Sequence, residues 1–235
     1  MSVGPSASSV GRRMDFGDIA GRYESWYGTL GGRRADRLEK VLLDKLLKRL
    51  PWIRTALEVG CGTGHFTRWL AERGIEAVGL DISPAMLVQA RRLEASARVC
   101  PYVLGDGLVL PFPDHAFDLV AFITTLEFIP QPERAMAEAG RVARQGVLVG
   151  GLNRHSLLAL RRRWRSLRAP TIYDQARCFT VGELAQLAQE ALGVRLRGMT
   201  WRTTLLAGTW PCTDARLPWG GFVGMLLELE DEGNG

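Results

Sequence analysis

Two carboxylates and three alternating glycines set the first chemistry open to this chain. Glu58 precedes Gly60, Gly62 and Gly64 in TALEVGCGTG, residues 55–64, and Asp81 closes the later apolar run IEAVGLD. Glycines lack Cβ, tolerate positive φ and let backbone N–H groups close on a ligand. A helix opening at His65 would add its positive dipole end. An acid at the end of the following strand is placed to hydrogen-bond a ribose. By itself a glycine turn is equally a plain tight turn. The context of strand, GxGxG, helix, strand and Asp makes it one βαβ unit with a nucleoside site at its switch point.

The positioning elements follow from pattern. Strands are expected at 56–59, 75–80, 99–104, 117–123 and 147–152, with a final antiparallel pair at 194–201 and 222–229. The helix after the glycines, from His65 to Arg73, buries Phe66, Trp69 and Leu70, and Gly74 stops it. Ser83 and Pro84 open the next, as N-cap and first-turn proline. Helices are also expected over 34–50, 132–144 and 180–192, the last with a capping box of Thr180 and Glu183. Asp15 to Tyr27 places Ile19, Tyr23 and Trp26 at helical spacing. Asn153 to Arg168 is strongly basic and reads as a helix. Its charge run is a solvated face, an anion-binding lid or a nucleic-acid contact.

The chain has 235 residues, 46% apolar and 23% charged, with a net charge of +5. That fits one α/β domain with a full core. The basic balance permits an anionic partner without requiring one. Cysteines 61, 100, 178 and 212 form no CxxC pair, so neither a zinc site nor a disulfide framework is expected, and cytoplasmic localisation is the default. No apolar run reaches membrane-spanning length. Residues 1–10 are Ser- and Gly-rich without a hydrophobic signal core, and 1–14 read as a disordered tail.

LEVGCGTG with Glu58, followed by GLDIS with Asp81, resembles the class I methyltransferases that use S-adenosylmethionine. Dinucleotide oxidoreductases usually carry GxGxxG. Here the third glycine comes one residue early and an acid precedes the first. The resemblance runs from about Ile19 to Asn153. It implies a Rossmann-like α/β fold with a seven-stranded sheet in the order 3-2-1-4-5-7-6 and helices on both faces. It divides a single domain, 15–235, into an N-terminal helical cap (15–50), a cofactor-binding core (51–153) and a substrate-side segment with the last strands (154–235).

The same resemblance assigns roles residue by residue. Glu58, Gly60, Cys61, Gly62, Gly64 and Asp81 form the cofactor turn and its ribose acceptor. Ile82 and Met86 pack on the adenine, and Asp106, with the Gly107 backbone, meets the adenine edge. Ile123 and Thr124 pass near the sulfonium. Tyr23 is the candidate contact to the methionine carboxylate, and Trp26 and Tyr27 line a substrate pocket. Beyond the resemblance, Trp210 is a further pocket candidate because it stands in an apolar loop, residues 202–219. The bland alternatives are an amphipathic docking helix for 15–27 and ordinary core for Met86. For Asp106 the alternative is a surface-turn role.

The implied reaction is in-line methyl transfer from S-adenosylmethionine to a small-molecule acceptor, leaving S-adenosylhomocysteine and using no metal. Such transfer disperses an existing charge, so positioning dominates. A general base is needed when the acceptor loses a proton during attack. Glu127 and His155 are the candidates. A carboxylate in an apolar run is either paired or lies in a pocket, so Glu127 equally reads as a structural group. ITTLEF, residues 123–128, lacks the Asn/Asp-Pro-Pro-aromatic motif of methyltransferases acting on base amines. Two rivals stay open. One is an RNA- or protein-directed methyltransferase that uses Arg161–Arg168. The other is a non-catalytic S-adenosylmethionine-binding protein.

Overall fold

The computed structural model describes residues 20–94, 99–156, 176–204 and 217–230, and of 20–23 the backbone alone. The expected tail, the arginine run 161–168 and Trp210 lie outside the described residues. The strands are β1 (Thr55–Val59), β2 (Glu76–Asp81), β3 (Tyr102–Leu104), β4 (Phe117–Ile123), β5 (Ala143–Leu152), β6 (Leu196–Thr204) and β7 (Phe222–Leu229). They form one seven-stranded sheet in the order β3-β2-β1-β4-β5-β7-β6. The first five run parallel, and β7 lies antiparallel between β5 and β6. The helices are α1 (Ala20–Gly28), α2 (Leu30–Leu47), α3 (His65–Ala71), α4 (Pro84–Arg92), α5 (Pro132–Val142) and α6 (Val181–Leu192).

Strand alternation divides the core between the two faces. Ala56, Leu119, Ala121 and Leu148 meet α2, α3 and α4 through Leu42, Leu43, Phe66, Leu70 and Leu87. Leu57, Val120, Phe122 and Val147 face α5 and α6 through Met136, Ala139, Leu184 and Ala188. A sheet buried on both faces is expected where βαβ crossovers cover it. Each large apolar side chain taken fully from water contributes about 1.5–3 kcal/mol. At the foot of the sheet, Asp118 accepts from the Arg54 and Thr55 amides at 2.9 and 3.1 Å and pairs with Arg144 at 2.6 Å. That buried carboxylate pins the start of β1 to β4.

Several boundaries differ from the sequence expectation. Helix α2 begins at Leu30, not Arg34, because Thr29 caps it by accepting from the Gly32 amide at 2.9 Å. Gly31 and Gly32 lie inside the helix rather than before it. A Cβ on Gly32 would sit 1.9 Å from the Trp26 carbonyl oxygen, so glycine permits the tight elbow between α1 and α2. Strand β3 is shorter than expected and starts after Pro101, which cannot donate to the ladder. Helix α5 ends at Val142 and runs straight into β5, which starts four residues earlier than expected. Strand β6 starts at Leu196, because a single 3-10 turn occupies Gly193–Arg195. Asn153–Ser156 is a turn, not the start of a helix. The Thr180–Glu183 capping box is present with both reciprocal bonds.

Candidate functional site

The parallel strands β3, β2, β1 and β4 lie side by side, so their carboxyl ends form one row. Gly60, Gly62 and Gly64 follow β1 with φ of 71°, 53° and 76°. These are left-handed values that favour glycine. Thr125, beyond β4, donates its hydroxyl to the Gly60 carbonyl at 3.0 Å. A Cβ on Gly60 would lie 2.1 Å from Thr125 Cγ2, and one on Gly64 would lie 2.3 Å from the Tyr102 hydroxyl. The turn is thus fixed by dihedral and by neighbour.

The Asp81 carboxylate is part of that turn. Its Oδ2 accepts from the Gly62 amide at 2.7 Å and its Oδ1 from the Ser83 amide at 2.8 Å. Asp81 is 8% exposed, and burial pushes its carboxyl above the usual range against the pull of these amides. Carboxylate oxygens each accept more than one donor, so a ribose hydroxyl can join the Gly62 and Ser83 amides. Glu58 lies beneath the turn. It is 1% exposed and accepts from the Thr67 hydroxyl. Burial raises its carboxyl to about 8, the Thr67 bond opposes this, and the nearby Asp81 charge adds to it. Cys61 is buried, its thiol pushed far up by desolvation, and its sulfur would meet a Cβ on Gly79 at 2.8 Å.

The adenine-side candidates stand beside this unit. The Gly105 amide donates to the Asp81 carbonyl at 3.0 Å, tying the end of β3 to β2. Asp106 is half-buried and accepts from the Leu108 amide at 3.0 Å, an Asx turn that orients the carboxylate. A Cβ on Gly107 would come within 2.9 Å of Val59 Cγ1, so this backbone passes close to the end of β1. Ile82 is 42% exposed, whereas Met86 is buried. On the far side of the turn, Ile123 is buried and Thr124 has φ of 51°. A β-branched residue rarely adopts that backbone. The Thr124 amide donates to the Gly150 carbonyl at 2.7 Å, which holds it there.

The acceptor-side candidates are placed differently from one another. Glu127 is 4% exposed, and its Oε1 accepts from the Leu152 amide at 2.7 Å, clamping the end of β4 to the end of β5. Gly151 leaves room for it, since a Cβ there would lie 2.7 Å from Glu127 Oε1. His155 lies on the exposed turn after β5 and donates its amide to Asn153 Oδ1 at 3.1 Å. Trp26 is partly exposed on α1, while the Tyr27 ring stacks on His65 with centroids 3.8 Å apart. Tyr23 lies on α1.

Three participants escape sequence reading. Thr125 holds the Gly60 carbonyl. Glu24 accepts from the Thr63 hydroxyl within the glycine turn. Asn153, 1% exposed, donates to the Pro218 and Gly220 carbonyls at 2.7 and 2.8 Å and so ties β5 to the entry of β7.

Comparison with known proteins bears on the family and the fold. The family model described as "Methyltransferase domain" matches residues 57–149. A malonyl-[acyl-carrier protein] O-methyltransferase of Enterobacter lignolyticus is 31% identical over 184 residues, covering 77% of this chain and 68% of that protein. One of the same name from Serratia marcescens is 36% identical over 113 residues, and this chain spans 43% of its length. A demethylmenaquinone methyltransferase of Thermus thermophilus is 35% identical over 134 residues, 56% of this chain and 60% of that protein. Among solved structures, a S-adenosylmethionine-dependent methyltransferase of Thermotoga maritima, described as a possible histamine N-methyltransferase, superposes with a TM-score of 0.73 at 28% identity, over 91% of this chain and 97% of that one. With a seven-stranded sheet in the order 3-2-1-4-5-7-6 and a relative of this identity aligned over two thirds of its length, the chain belongs to the class I S-adenosylmethionine-dependent methyltransferases.

Proposed function

We propose that this protein transfers the methyl group of S-adenosylmethionine to a small-molecule acceptor at the carboxyl ends of β4 and β5. The observation that carries the reading is the union of the glycine turn with Asp81 through the Gly62 amide. That union preorganises backbone donors and a carboxylate acceptor in one crevice. Bound S-adenosylmethionine supplies an activated methyl on a sulfonium. Asp81 is the acceptor for ribose hydroxyls, and Asp106 with the Gly107 backbone faces the adenine edge. Glu58 acts through the turn rather than on the ligand. Its buried carboxyl braces Thr67 on α3, directly beneath Gly60–Gly64.

On the acceptor side the residues position and exclude water. Thr124 and Thr125 fix the loop after β4 against Gly60 and Gly150, and Glu127 fixes it against β5. Acceptor geometry then depends on this floor, and holding reacting atoms roughly 3–3.5 Å apart is the main catalytic task. Relatives whose names specify O-methylation and N-methylation both match this chain, so the acceptor atom is set outside the shared core. The test is transfer of a labelled methyl from S-adenosylmethionine to a panel of small carboxylates, phenols, quinols and amines. Methylation of one class, with S-adenosylhomocysteine formed in equal amount, is the expected result. A protein that binds S-adenosylmethionine yet labels none of these and instead labels RNA or protein would overturn the small-molecule reading.

A further inference from the structure

Helix α1 is fastened to the glycine turn by a contact with no part in the ribose, adenine or acceptor assignments. Thr63 lies between Gly62 and Gly64 and is fully buried. Its hydroxyl donates to Glu24 Oε1, and its carbonyl accepts from Arg68 Nη1 at 2.8 Å. Glu24 and Arg68 approach each other at 3.8 Å, with side chains 24% and 15% exposed. One ion pair therefore grips a single turn residue at both its hydroxyl and its carbonyl. Partial burial makes such a pair stronger than its exposed counterpart.

A second tether lies one helical turn along. The Tyr27 ring stacks on His65, the first residue of α3, at an interplanar angle of 16°. His65 Nε2 lies 2.7 Å from Asp36 Oδ1 and 2.9 Å from Lys40 Nζ, both on α2, and donates to the first or accepts from the second according to its tautomer. Helix α1 also packs against α4, which starts just beyond Asp81. The helix thus reaches from the glycine turn of β1 to the helix that follows β2. Both of these elements are ones to which the proposed function gives the cofactor.

We propose that Glu24 is a positioning residue that latches α1 over the glycine turn, and that the rate at which the adenosyl ligand leaves is set by this latch. The proposal rests on the methyltransferase reading for its ligand, but the latch itself is a property of the free protein. Opening α1 breaks the Glu24–Thr63 bond, the Glu24–Arg68 pair and the Tyr27–His65 stack together. Ligand departure then carries the cost of all three. A Glu24 that served folding alone would lower thermal stability and leave the departure rate unchanged.

The test uses the full chain with Glu24→Gln and Thr63→Val, singly and together. Stopped-flow displacement should show S-adenosylhomocysteine leaving roughly tenfold faster from Glu24→Gln, as expected for loss of a charge-assisted bond. The double variant should be faster than either single but by less than the product of the two effects, because the changes share the Glu24–Thr63 bond while only Glu24→Gln also loses the Arg68 pair. In the absence of ligand, amide hydrogen exchange across residues 20–28 should rise in both variants. Unchanged exchange would overturn the latch whether or not the protein binds S-adenosylmethionine. Faster exchange with an unchanged departure rate would overturn its control of the ligand. A wild-type protein that binds neither S-adenosylmethionine nor S-adenosylhomocysteine would sink the functional reading and the ligand role with it, while the exchange experiment still decides the latch.

Discussion

The two halves of the crevice are built on different principles. The half over β1, β2 and β3 carries its ligand-side candidates on chain-local pieces, although Glu24 fastens it from 39 residues away. Its glycines, Asp81 and Asp106 lie within a few residues of strand ends, and the turn–acid union is a single amide-to-carboxylate bond. The half over β4 and β5 is made from long-range clamps. Thr125 reaches Gly60, Glu127 reaches Leu152, and Asn153 reaches Pro218 and Gly220. A cofactor common to a whole family can be bound by a fixed local motif. An acceptor that varies needs a floor whose parts can be exchanged.

The sharpest way to break this comparison is at Gly60. Gly60→Ala imposes a Cβ at a φ of 71° and 2.1 Å from Thr125 Cγ2. Strain at such positions costs of order 1–3 kcal/mol before the collision is counted. We expect loss of measurable S-adenosylmethionine binding in titration, with a lowered urea midpoint. Adding Thr125→Ala should recover part of the midpoint, since that removes the colliding methyl. Next in size is Asp81→Ala, which removes the acceptor shared by the Gly62 and Ser83 amides. Charge-assisted bonds contribute roughly 1.5–3 kcal/mol, so affinity for S-adenosylmethionine should fall about tenfold or more in a folded variant.

The acceptor half responds differently. Glu127→Gln keeps an oxygen able to accept from Leu152. If Glu127 is a clamp, as its burial and that bond indicate, the rate of methyl transfer should stay within about threefold of wild type. A group acting as general base would instead cost about 10²–10⁴-fold. Rate measurement at saturating substrate decides between the two.

Glu58 adds a pH dependence of known sign. Its folded carboxyl titrates near 8 and its ordinary value is 4.5, because burial favours the neutral form. The unfolded chain therefore loses its proton first. The stability held by neutral Glu58 is complete below the ordinary value and is lost as pH rises toward 8, by up to about 1.4 kcal/mol per pH unit. The raised carboxyl of Asp81 acts in the same direction. Urea unfolding at pH 5 and pH 8 should show a smaller loss in Glu58→Gln than in wild type. The smallest effect is expected at Thr124. Thr124→Gly relieves a β-branched residue at φ of 51° but frees the unfolded chain, and the two offset to within about 1 kcal/mol. Thermal unfolding measures the balance.

The same division explains what could be read from sequence. The turn, the Ser83 cap and the Thr180–Glu183 box depend on residues close together in the chain, and their patterns are visible there, whereas the strand order joins distant segments and comes from the family resemblance. Helix α2 was placed too late because Gly31 and Gly32 look like a break. Gly32 is required there because the Trp26 carbonyl leaves no room for a side chain, whereas a Cβ on Gly31 would meet nothing within 4 Å. Glu127 could be read as buried and paired or as lying in a pocket, but its partner, the Leu152 amide, is 25 residues away and belongs to a strand end. Glu24 and Asn153 looked like ordinary polar residues, because their partners are 39 and 65 or more residues distant. Clamps of this kind exist after the chain has folded, so no local spacing announces them.

The central claim is that Gly60–Gly64 and Asp81 form a cradle for S-adenosylmethionine. Calorimetric titration of the full chain with S-adenosylmethionine, S-adenosylhomocysteine and NAD tests it most directly. Saturable binding of the first two, with none from NAD, is the predicted result. Saturable binding of NAD with silence from both adenosyl sulfur compounds would contradict the account.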